Sequence, residues 1–435
     1  MRTLLVAACM VAGSLSAFAQ QGAVGGTITK GGADLRTPIA VPYFAAGPGG
    51  EAIAKEMAEV VANDLDFTGM FNILPLGGYP AGFAGFPTDF RQLDVKAWQT
   101  TKADYLVYAY VYTQGGNVVG EFRLLDVAAS AQVMGKRLSA GAGQQRLVAH
   151  QFSDEVLNFV HRLPGIATTR IVFSGGATGN KEIYIADYDG ANARKLTNHN
   201  SISIKPKISP DGSKVVYVSY KDRYPFLYVM DIASGKVTPL SRKPGVNIAP
   251  NWSPDGQSVV MALSKDGDTE IYRVNADGTG LKRLTQSRGV DTSPCFSPDG
   301  RQIAFVSERG GAPTIYVMNA DGSAPRRLTR SYGKAFDPVW SPDGTKLAFV
   351  ADYGGVRIAV MNIDGTGIRT LTEQGNSESP TWSPNSRHVM FYRTAGSQLR
   401  AVTVDTPDPR DRALPKIKMP CQGPSWGPGR KVAAQ

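Results

Sequence analysis

The last two thirds of the chain consist of short apolar segments that recur at a fixed interval. Residues 215–218, 259–261, 303–306 and 347–350 are such segments, and each follows the tetrapeptide Ser-Pro-Asp-Gly. The tetrapeptide recurs about every 44 residues, an interval typical of propeller blades. Ser at its first position, Pro at its second and Gly at its fourth suit a type I turn. Each segment is therefore predicted to be a strand that follows a tight turn and is covered on both faces.

Each repeat continues with another apolar strand, a turn and a short outer strand. Asp-Gly, a strong hairpin signal, closes this strand at residues 189–190, 277–278, 321–322 and 364–365. With degraded copies at 383–386 and 426–429, the chain holds six repeats. The strand that ends just before each Ser-Pro-Asp-Gly turn is the inner strand of its repeat. The first repeat lacks this strand and the last repeat has only this strand, so we expect the two ends of the chain to complete one blade. The pattern predicts an all-β, six-bladed propeller over residues 166–435.

The loops between the second and third strands, and between successive repeats, vary, whereas the turns are uniform. Differences between repeats on a stacked scaffold are where a binding surface diversifies. Each inner strand contains a proline at the same position of the repeat. We expect the two residues directly before this proline to lie at the mouth of the central channel. These candidates are Ile204, Lys205, Ile248, Ala249, Thr292, Ser293, Phe336, Asp337, Glu378, Ser379, Gln422 and Gly423.

Residues 34–165 have a different pattern, which predicts a small α/β domain with a mixed sheet. Apolar positions near helical spacing predict helices over residues 50–66 and 144–162. Three longer strands lie between these helices, and the first two are separated by a Gly-containing turn at 114–117. We expect the domain to join the propeller at Pro164-Gly165.

The amino terminus has the features of a secretory signal peptide. Residues 1–19 contain Arg2, a short apolar run and a small-residue pattern that ends at Ala19, where cleavage is expected. An alternative is a lipoprotein signal ending at Cys9. Residues 20–33 are Gly-rich and predict a flexible arm. Because the apolar run is too short to span a bilayer and no longer one follows, we expect an exported protein without a membrane-inserted segment.

Composition and charge narrow the function classes. The chain is 42% hydrophobic and 19% charged, which excludes a disordered protein, and its 48 Gly and 28 Pro suit many turns. The formal net charge is +10, yet basic residues recur singly or in pairs at equivalent positions of the repeats. This distribution favours solvated outer strands over a nucleic-acid interface.

The sequence contains no zinc-protease, nucleophile-elbow or phosphate-loop motif, and we expect neither a catalytic residue nor a cofactor. His150 and His161 share one helix face but lie too far apart for one metal, so we interpret them as surface residues. Cys295 and Cys421 fall three blades apart, which predicts two free thiols.

Three carboxylates lie near the expected mouth: Asp291, Asp337 and Glu378. As a ring they would hold a cation in the channel or act as hydrolytic acids. The sequence does not give their separations, so both alternatives stay open beside a purely structural role.

Phrases in both halves of the chain resemble the TolB family, the periplasmic propeller proteins of the Tol-Pal system. They are Ile-Ala-Val-Pro at 39–42, Ala-Gly-Pro-Gly at 46–49, Thr-Arg-Ile at 169–171, Asp-Tyr-Asp-Gly at 187–190 and the Ser-Pro-Asp-Gly turns. The resemblance implies a monomeric, non-enzymatic periplasmic binding protein. It implies that the channel mouth binds the lipoprotein Pal and that the arm binds the carboxyl-terminal domain of TolA. The implied role is in outer-membrane integrity and in constriction during cell division, with colicin-like toxins as further partners.

The family's Pal-binding positions match Ala249 and Thr292, and Val246 stands where family members carry His. Together with the rim, the candidates for Pal binding are Lys205, Val246, Ala249, Asp291, Thr292, Ser293, Asp337, Glu378 and Ser379. The candidates for TolA binding are Val24, Thr27, Ile28 and Thr29, in an arm that departs from the family's Val/Ile/Asp-rich pattern. An exported propeller hydrolase and a carbohydrate-binding propeller are the alternatives.

Overall fold

The computed structural model describes residues 35–47, 50–176, 179–329, 333–373, 375–405 and 410–430. These residues belong to one compact unit. The predicted signal peptide and arm lie outside them, and with them the TolA-binding candidates Val24, Thr27, Ile28 and Thr29. In the described part of the chain, no helix is long and apolar enough to cross a membrane.

The amino-terminal domain is a mixed sheet with two long helices, as the sequence predicts. Its strands are β1 Thr37–Ala40, β2 Ala45–Ala46, β3 Phe71–Ile73, β4 Tyr105–Gln114, β5 Asn117–Asp126 and β6 Ala131–Gly141. Its helices are α1 Glu51–Phe67 and α2 Gln145–His161, with short 3₁₀ turns at Leu76–Gly78, Phe90–Gln92 and Lys96–Thr100. The strand order is β3-β1-β4-β5-β6 and β2 pairs with β4. β1 runs parallel to β3 and β4, whereas β4, β5 and β6 are antiparallel.

Local sequence explains these elements. The β4–β5 hairpin turns at Gly115 and Gly116, whose φ angles of 58° and 79° are those a two-residue hairpin loop needs. The apolar stripe of α1, with Met57 and Val61, packs with Phe152 of α2 in one core. These three side chains are fully buried, which is how an amphipathic helix gains stability on a sheet.

The remaining chain forms six four-stranded antiparallel sheets, which are the blades of a propeller. Blade 1 consists of Ser203–Ile208, Lys214–Ser219, Phe226–Asp231 and Val237–Ser241. Blade 2 consists of Asn247–Trp252, Ser258–Leu263, Glu270–Asn275 and Lys282–Arg283. Blade 3 consists of Asp291–Phe296, Gln302–Ser307, Thr314–Asn319 and Arg326–Arg327. Blade 4 consists of Lys334–Trp340, Lys346–Asp352, Val356–Asn362 and Arg369–Thr370. Blade 5 consists of Ser377–Trp382, His388–Arg393, Gln398–Thr403 and Asp411–Ala413. Blade 6 consists of Cys421–Gly429, Thr169–Gly175, Glu182–Asp187 and Arg194–Lys195. The first strand of each blade is its inner strand, so blade 6 begins with Cys421–Gly429.

The ring closes as the repeat pattern predicts. In blade 6 the last strand of the chain pairs antiparallel with the first propeller strand, and Trp426 lies opposite Ile171. Closure hides two sheet edges that would otherwise invite aggregation. Cys295 and Cys421 lie in blades 3 and 6, and both are buried free thiols, which confirms the prediction made from the blade count.

The amino-terminal domain contacts the end of the propeller that carries the Ser-Pro-Asp-Gly turns. Nδ2 of Asn385, in the blade 5 turn, donates to the carbonyl of Pro164 at 2.9 Å. His388, at the start of the next strand, lies 3.2 Å from the carbonyl of Phe67 through Nε2, and the two rings stack. The channel end formed by the variable loops is therefore the end remote from this domain.

A buried polar network joins the two domains. Asp64 of α1 lies 2.8 Å from Nδ1 of His150 and accepts a 2.7 Å hydrogen bond from Tyr188 of blade 6. The prediction that His150 is a surface residue is wrong, because it is fully buried between the two domains. Burial acts to lower the pKa of His150, but Asp64 outweighs it and the pKa is raised.

Cations of the chain satisfy the neighbouring carboxylates of this interface. Arg146 lies 2.7 Å from Asp189, and Arg430 lies 2.6 Å from Asp187. Lys416 also pairs with Asp189. His150, Asp187 and Asp189 place ligand atoms within 4.8 Å of one another, a spacing that would suit a metal. Because these cations already pair with both carboxylates, we interpret the cluster as an ion-pair network that joins the domains.

Candidate binding site at the channel mouth

The six inner strands share one irregularity at the remote end of the channel. In each, the pairing with the second strand shifts register around the recurrent proline, which is a β-bulge. Proline has no N–H to donate to the ladder, so it favours a bulge in an otherwise regular strand. The residue before it has a positive φ in all six blades: Lys205 52°, Ala249 51°, Ser293 49°, Asp337 45°, Ser379 54° and Gly423 59°.

This ring of left-handed residues is a strained feature of the backbone. Five of its six members carry a Cβ, and the left-handed conformation costs such a residue about 1–2 kcal/mol. Strain of this kind persists where the surrounding structure imposes it, and it clusters at functional sites. The bulge re-aims each of these residues, and all six line a cavity of about 310 Å³ at the mouth of the channel.

Polar contacts cross the mouth between blades. Nζ of Lys205 lies 3.2 Å from Oδ2 of Asp337 and 3.3 Å from Oγ of Ser379. Oγ of Ser293 donates to the other Asp337 oxygen at 2.7 Å. Burial acts to raise the pKa of Asp337, but Lys205 and Ser293 outweigh it and hold that pKa below its usual range. Asp337 in turn raises the pKa of Lys205, so both groups are charged at neutral pH.

The structure places most of the predicted mouth residues together. Of the candidates named for Pal binding, the residues that line the mouth cavity are Lys205, Ala249, Thr292, Ser293, Asp337 and Ser379. Glu378 does not line the cavity, although its charge contributes to the raised pKa of Lys205. Val246 lies outside the cavity and is 37% exposed.

The expected ring of three carboxylates is not what the structure shows. Asp291 is fully buried, and its carboxylate pairs with Arg309 at 2.8 Å instead of facing the channel. It differs because Asp291 is the first residue of its inner strand, before the bulge, where Arg309 of the same blade reaches it. Among the described residues that line the mouth cavity, Asp337 is the one acidic side chain, and both of its oxygens accept hydrogen bonds. A hydrolytic pair of carboxylates is therefore not assembled in this cavity.

Sequence reasoning missed the residues one position beyond each recurrent proline. They form the waist ring of the channel: Lys207, Asn251, Cys295, Val339, Thr381 and Ser425. The sequence contained the information needed to find them, because each residue of the waist ring directly follows the recurrent proline of its repeat. Four of them line both the mouth cavity and a second cavity of about 380 Å³ toward the turn end.

Fold and site together define a class: a six-bladed β-propeller with an amino-terminal α/β domain and a strained, concave mouth suited to binding. The family model described as TolB beta propeller domain matches residues 160–430, and that described as TolB amino-terminal domain matches residues 27–133. The chain belongs to the TolB family, which confirms the resemblance seen in the sequence.

Individual relatives agree with this assignment. The Tol-Pal system protein TolB of Desulfosudis oleivorans is 34% identical over 196 residues, 44% of this chain and 45% of the relative. That of Cereibacter sphaeroides is 35% identical over 231 residues, 52% of this chain and 51% of the relative. The chain thus spans about half the length of the curated relatives it matches. The crystal structure of TolB from Acinetobacter baumannii is similar with a TM-score of 0.80 and 26% identity, over 91% of this chain and 98% of that one.

Proposed function

We propose that this chain is a non-catalytic periplasmic component of the Tol-Pal system that binds the lipoprotein Pal at the mouth of its propeller channel. Membership of the TolB family supports the system, because the curated relatives are named Tol-Pal system protein TolB. The observation that carries the site is the ring of six left-handed residues around a concave cavity. Small side chains such as Ala249 and Ser293 leave that cavity open to a partner's side chains.

The mouth also offers charge for recognition. Lys205 is 46% exposed while it is paired with Asp337, so a docking surface can reach both charges. Charges at the rim of an interface favour specificity and association rate more than affinity. A standard protein interface buries about 1,600 Å² in total, so the surrounding variable loops would contribute beside the cavity itself.

The arm and the signal peptide complete the proposal. Residues 1–19 direct export and are removed near Ala19, and residues 20–33 bind the carboxyl-terminal domain of TolA. The candidates in the arm are Val24, Thr27, Ile28 and Thr29. In this role the chain supports outer-membrane integrity and constriction during division, and colicin-like toxins would use the same surfaces. Membership of the TolB family supports the proposed export, TolA binding and role in division.

The test is calorimetric titration of the mature protein with the soluble domain of Pal from the same organism. Ala249→Tyr, which fills the mouth, is expected to weaken binding more than about tenfold, which is about 1.4 kcal/mol. Ala324→Tyr is the matched control, because Ala324 is exposed, has a nearly identical φ of 53° and lies in the Asp321-Gly322 turn at the other end of the propeller. It is expected to bind Pal like the wild type.

Deletion of residues 20–33 separates the two partner sites. We expect the deletion to abolish binding of the TolA domain and to leave Pal affinity unchanged. Equal Pal affinity for Ala249→Tyr and the wild type, in a folded variant, would move the Pal site away from the mouth. Failure of every form to bind Pal would reopen the hydrolase and carbohydrate-binding alternatives.

A further inference from the structure

Three side chains of the waist ring accept hydrogen bonds from the backbone of neighbouring blades. Oγ of Ser425 accepts from the backbone N–H of Ile208 at 3.2 Å, and Oγ1 of Thr381 accepts from that of Trp426 at 3.1 Å. Each bond joins two blades, so it also holds the side chain in place. Ser and Thr hydroxyls have one hydrogen each to donate, and neither hydroxyl donates to any described residue.

Asn251 repeats this arrangement in blade 2. Its Oδ1 accepts from the backbone N–H of Phe296 at 3.4 Å, which leaves the two hydrogens of its amide nitrogen without a described partner. An amide nitrogen donates and does not accept. The waist ring therefore presents donors from three blades, and the oxygen of each of these side chains accepts one hydrogen bond from a neighbouring blade.

Lys207 adds a positive charge to these donors. Its half-buried side chain lines both channel cavities, and its ammonium makes no hydrogen bond or ion pair within the described ranges. The carboxylate of Asp337 also acts on Lys207, but its two oxygens already accept from Lys205 and Ser293. A half-buried ammonium that faces a cavity and has no protein partner is available to a ligand of opposite charge.

Three charged or titratable groups act on Lys207: Lys205, Cys295 and Asp337. Burial lowers the pKa of Lys207, Lys205 acts in the same direction, and Cys295 and Asp337 act in the opposite one. Burial raises the pKa of the Cys295 thiol, so this neighbour is neutral at physiological pH. A bound anion would lie against a cation and a neutral thiol, whereas a bound cation would face Lys207 and donor hydrogens.

We propose that the waist ring is a binding site for a small anion, a carboxylate or an inorganic oxyanion, with Lys207 as its counter-ion and Asn251, Thr381 and Ser425 as donors. The anion is either free in solution or a carboxylate side chain that a docked polypeptide inserts through the mouth. The site does not rest on the proposed function, because a free anion binds whether or not Pal does.

The first arm of the test uses free anions. Calorimetry with inorganic phosphate and with acetate is carried out on the wild type, on Lys207→Met and on Lys236→Met, which removes the same charge from an exposed turn. We expect saturable binding by the wild type and by Lys236→Met, and about tenfold or greater weakening in Lys207→Met, as for loss of a charged hydrogen bond. In crystals soaked in bromide, the anomalous peak is expected beside Nζ of Lys207.

The second arm uses the Pal domain. A different outcome is that the wild type binds neither phosphate nor acetate while Lys207→Met, unlike Lys236→Met, weakens Pal binding. In that case the anion is a carboxylate of the partner. The proposal is overturned if Lys207→Met keeps the wild-type affinity for the free anions. It is also overturned if no free anion binds and Lys207→Met leaves the behaviour toward Pal unchanged. The phosphate and bromide experiments do not involve Pal, so failure of the proposed function is distinguishable from failure of this site.

Discussion

Two regions of this protein contain clusters of polar groups, and they differ in whether the charged groups in them are paired. At the domain interface, Asp64 holds both His150 and Tyr188, and Asp187 and Asp189 pair with arginines and a lysine. In the channel, Lys207 has no described hydrogen-bond or ion-pair partner, and three neighbouring side chains keep free donors. Ion pairs at the interface join parts of one chain, whereas an unpaired cation and free donors around a cavity are available to a ligand.

The backbone shows the same difference. The channel mouth keeps a left-handed residue in every blade, whereas none of the interface residues Asp64, His150, Tyr188 and Asp189 has a positive φ. We therefore expect stability and binding to depend on separate regions of the molecule. Changes at the interface should lower stability strongly without altering Pal binding, and changes in the channel should alter binding with smaller effects on stability.

The largest expected effect is the removal of Asp64. Asp64→Ala leaves His150 and Tyr188 buried without their shared partner, and we expect a loss of about 3–5 kcal/mol of stability, as for a broken buried pair. Urea denaturation measures it. Asp89→Ala, which removes an exposed pair with Arg91 and the cap of a short 3₁₀ turn, is the control and should lower the urea midpoint only slightly. Equal midpoints for both variants would show that the interface network does not stabilise the fold.

The second prediction concerns pH and His388, which is buried against Phe67. Burial lowers its pKa from 6.5 to about 3 in the folded protein. Its contribution to stability is therefore present above pH 6.5 and is lost as the pH falls toward 3, at about 1.4 kcal/mol per pH unit. His388→Phe keeps the stacked ring and removes the titration. Urea midpoints between pH 4 and 7 should fall less steeply in the variant, and parallel profiles would contradict this.

A smaller effect of opposite sign is expected in the channel. Lys207→Met removes an ammonium without a described partner and keeps most of its volume, so stability should rise by about 1 kcal/mol. Thermal unfolding in a buffer free of phosphate and carboxylates is the measurement, with Lys236→Met as the control for net charge. A less stable Lys207→Met protein would mean that the ammonium contributes to the fold, and the contrast between the regions would weaken.

The smallest effect concerns backbone strain at the mouth. Ala249→Gly relieves a left-handed alanine but adds freedom to the unfolded chain, so we expect a gain below about 1 kcal/mol. Ala131→Gly is the control, because Ala131 is exposed in a strand and is not left-handed, and it should destabilise slightly. If both substitutions destabilise equally, the ring of positive φ angles carries no strain.

Much of the fold could be predicted because its determinants are close together in the sequence. The Ser-Pro-Asp-Gly turns, the apolar segments and the Asp-Gly pairs each act over a few residues, and their spacing gave the blades and the closure of the ring. The recurrent proline likewise indicated Ala249, Ser293 and Asp337 as mouth residues. His150 was misplaced because Tyr188 of the propeller packs against it. Asp291 was misplaced because it forms a buried pair with Arg309.

By itself, the sequence determined the number of blades, the position of the mouth in each repeat and the family, since these follow from periodic local signals. Only the tertiary structure decided which polar groups are satisfied. The N–H of Ile208 occupies the acceptor of Ser425, 217 residues away, and Asp64 meets Tyr188 across 124 residues. Such pairings depend on how blades and domains pack, and no local pattern in the chain records them.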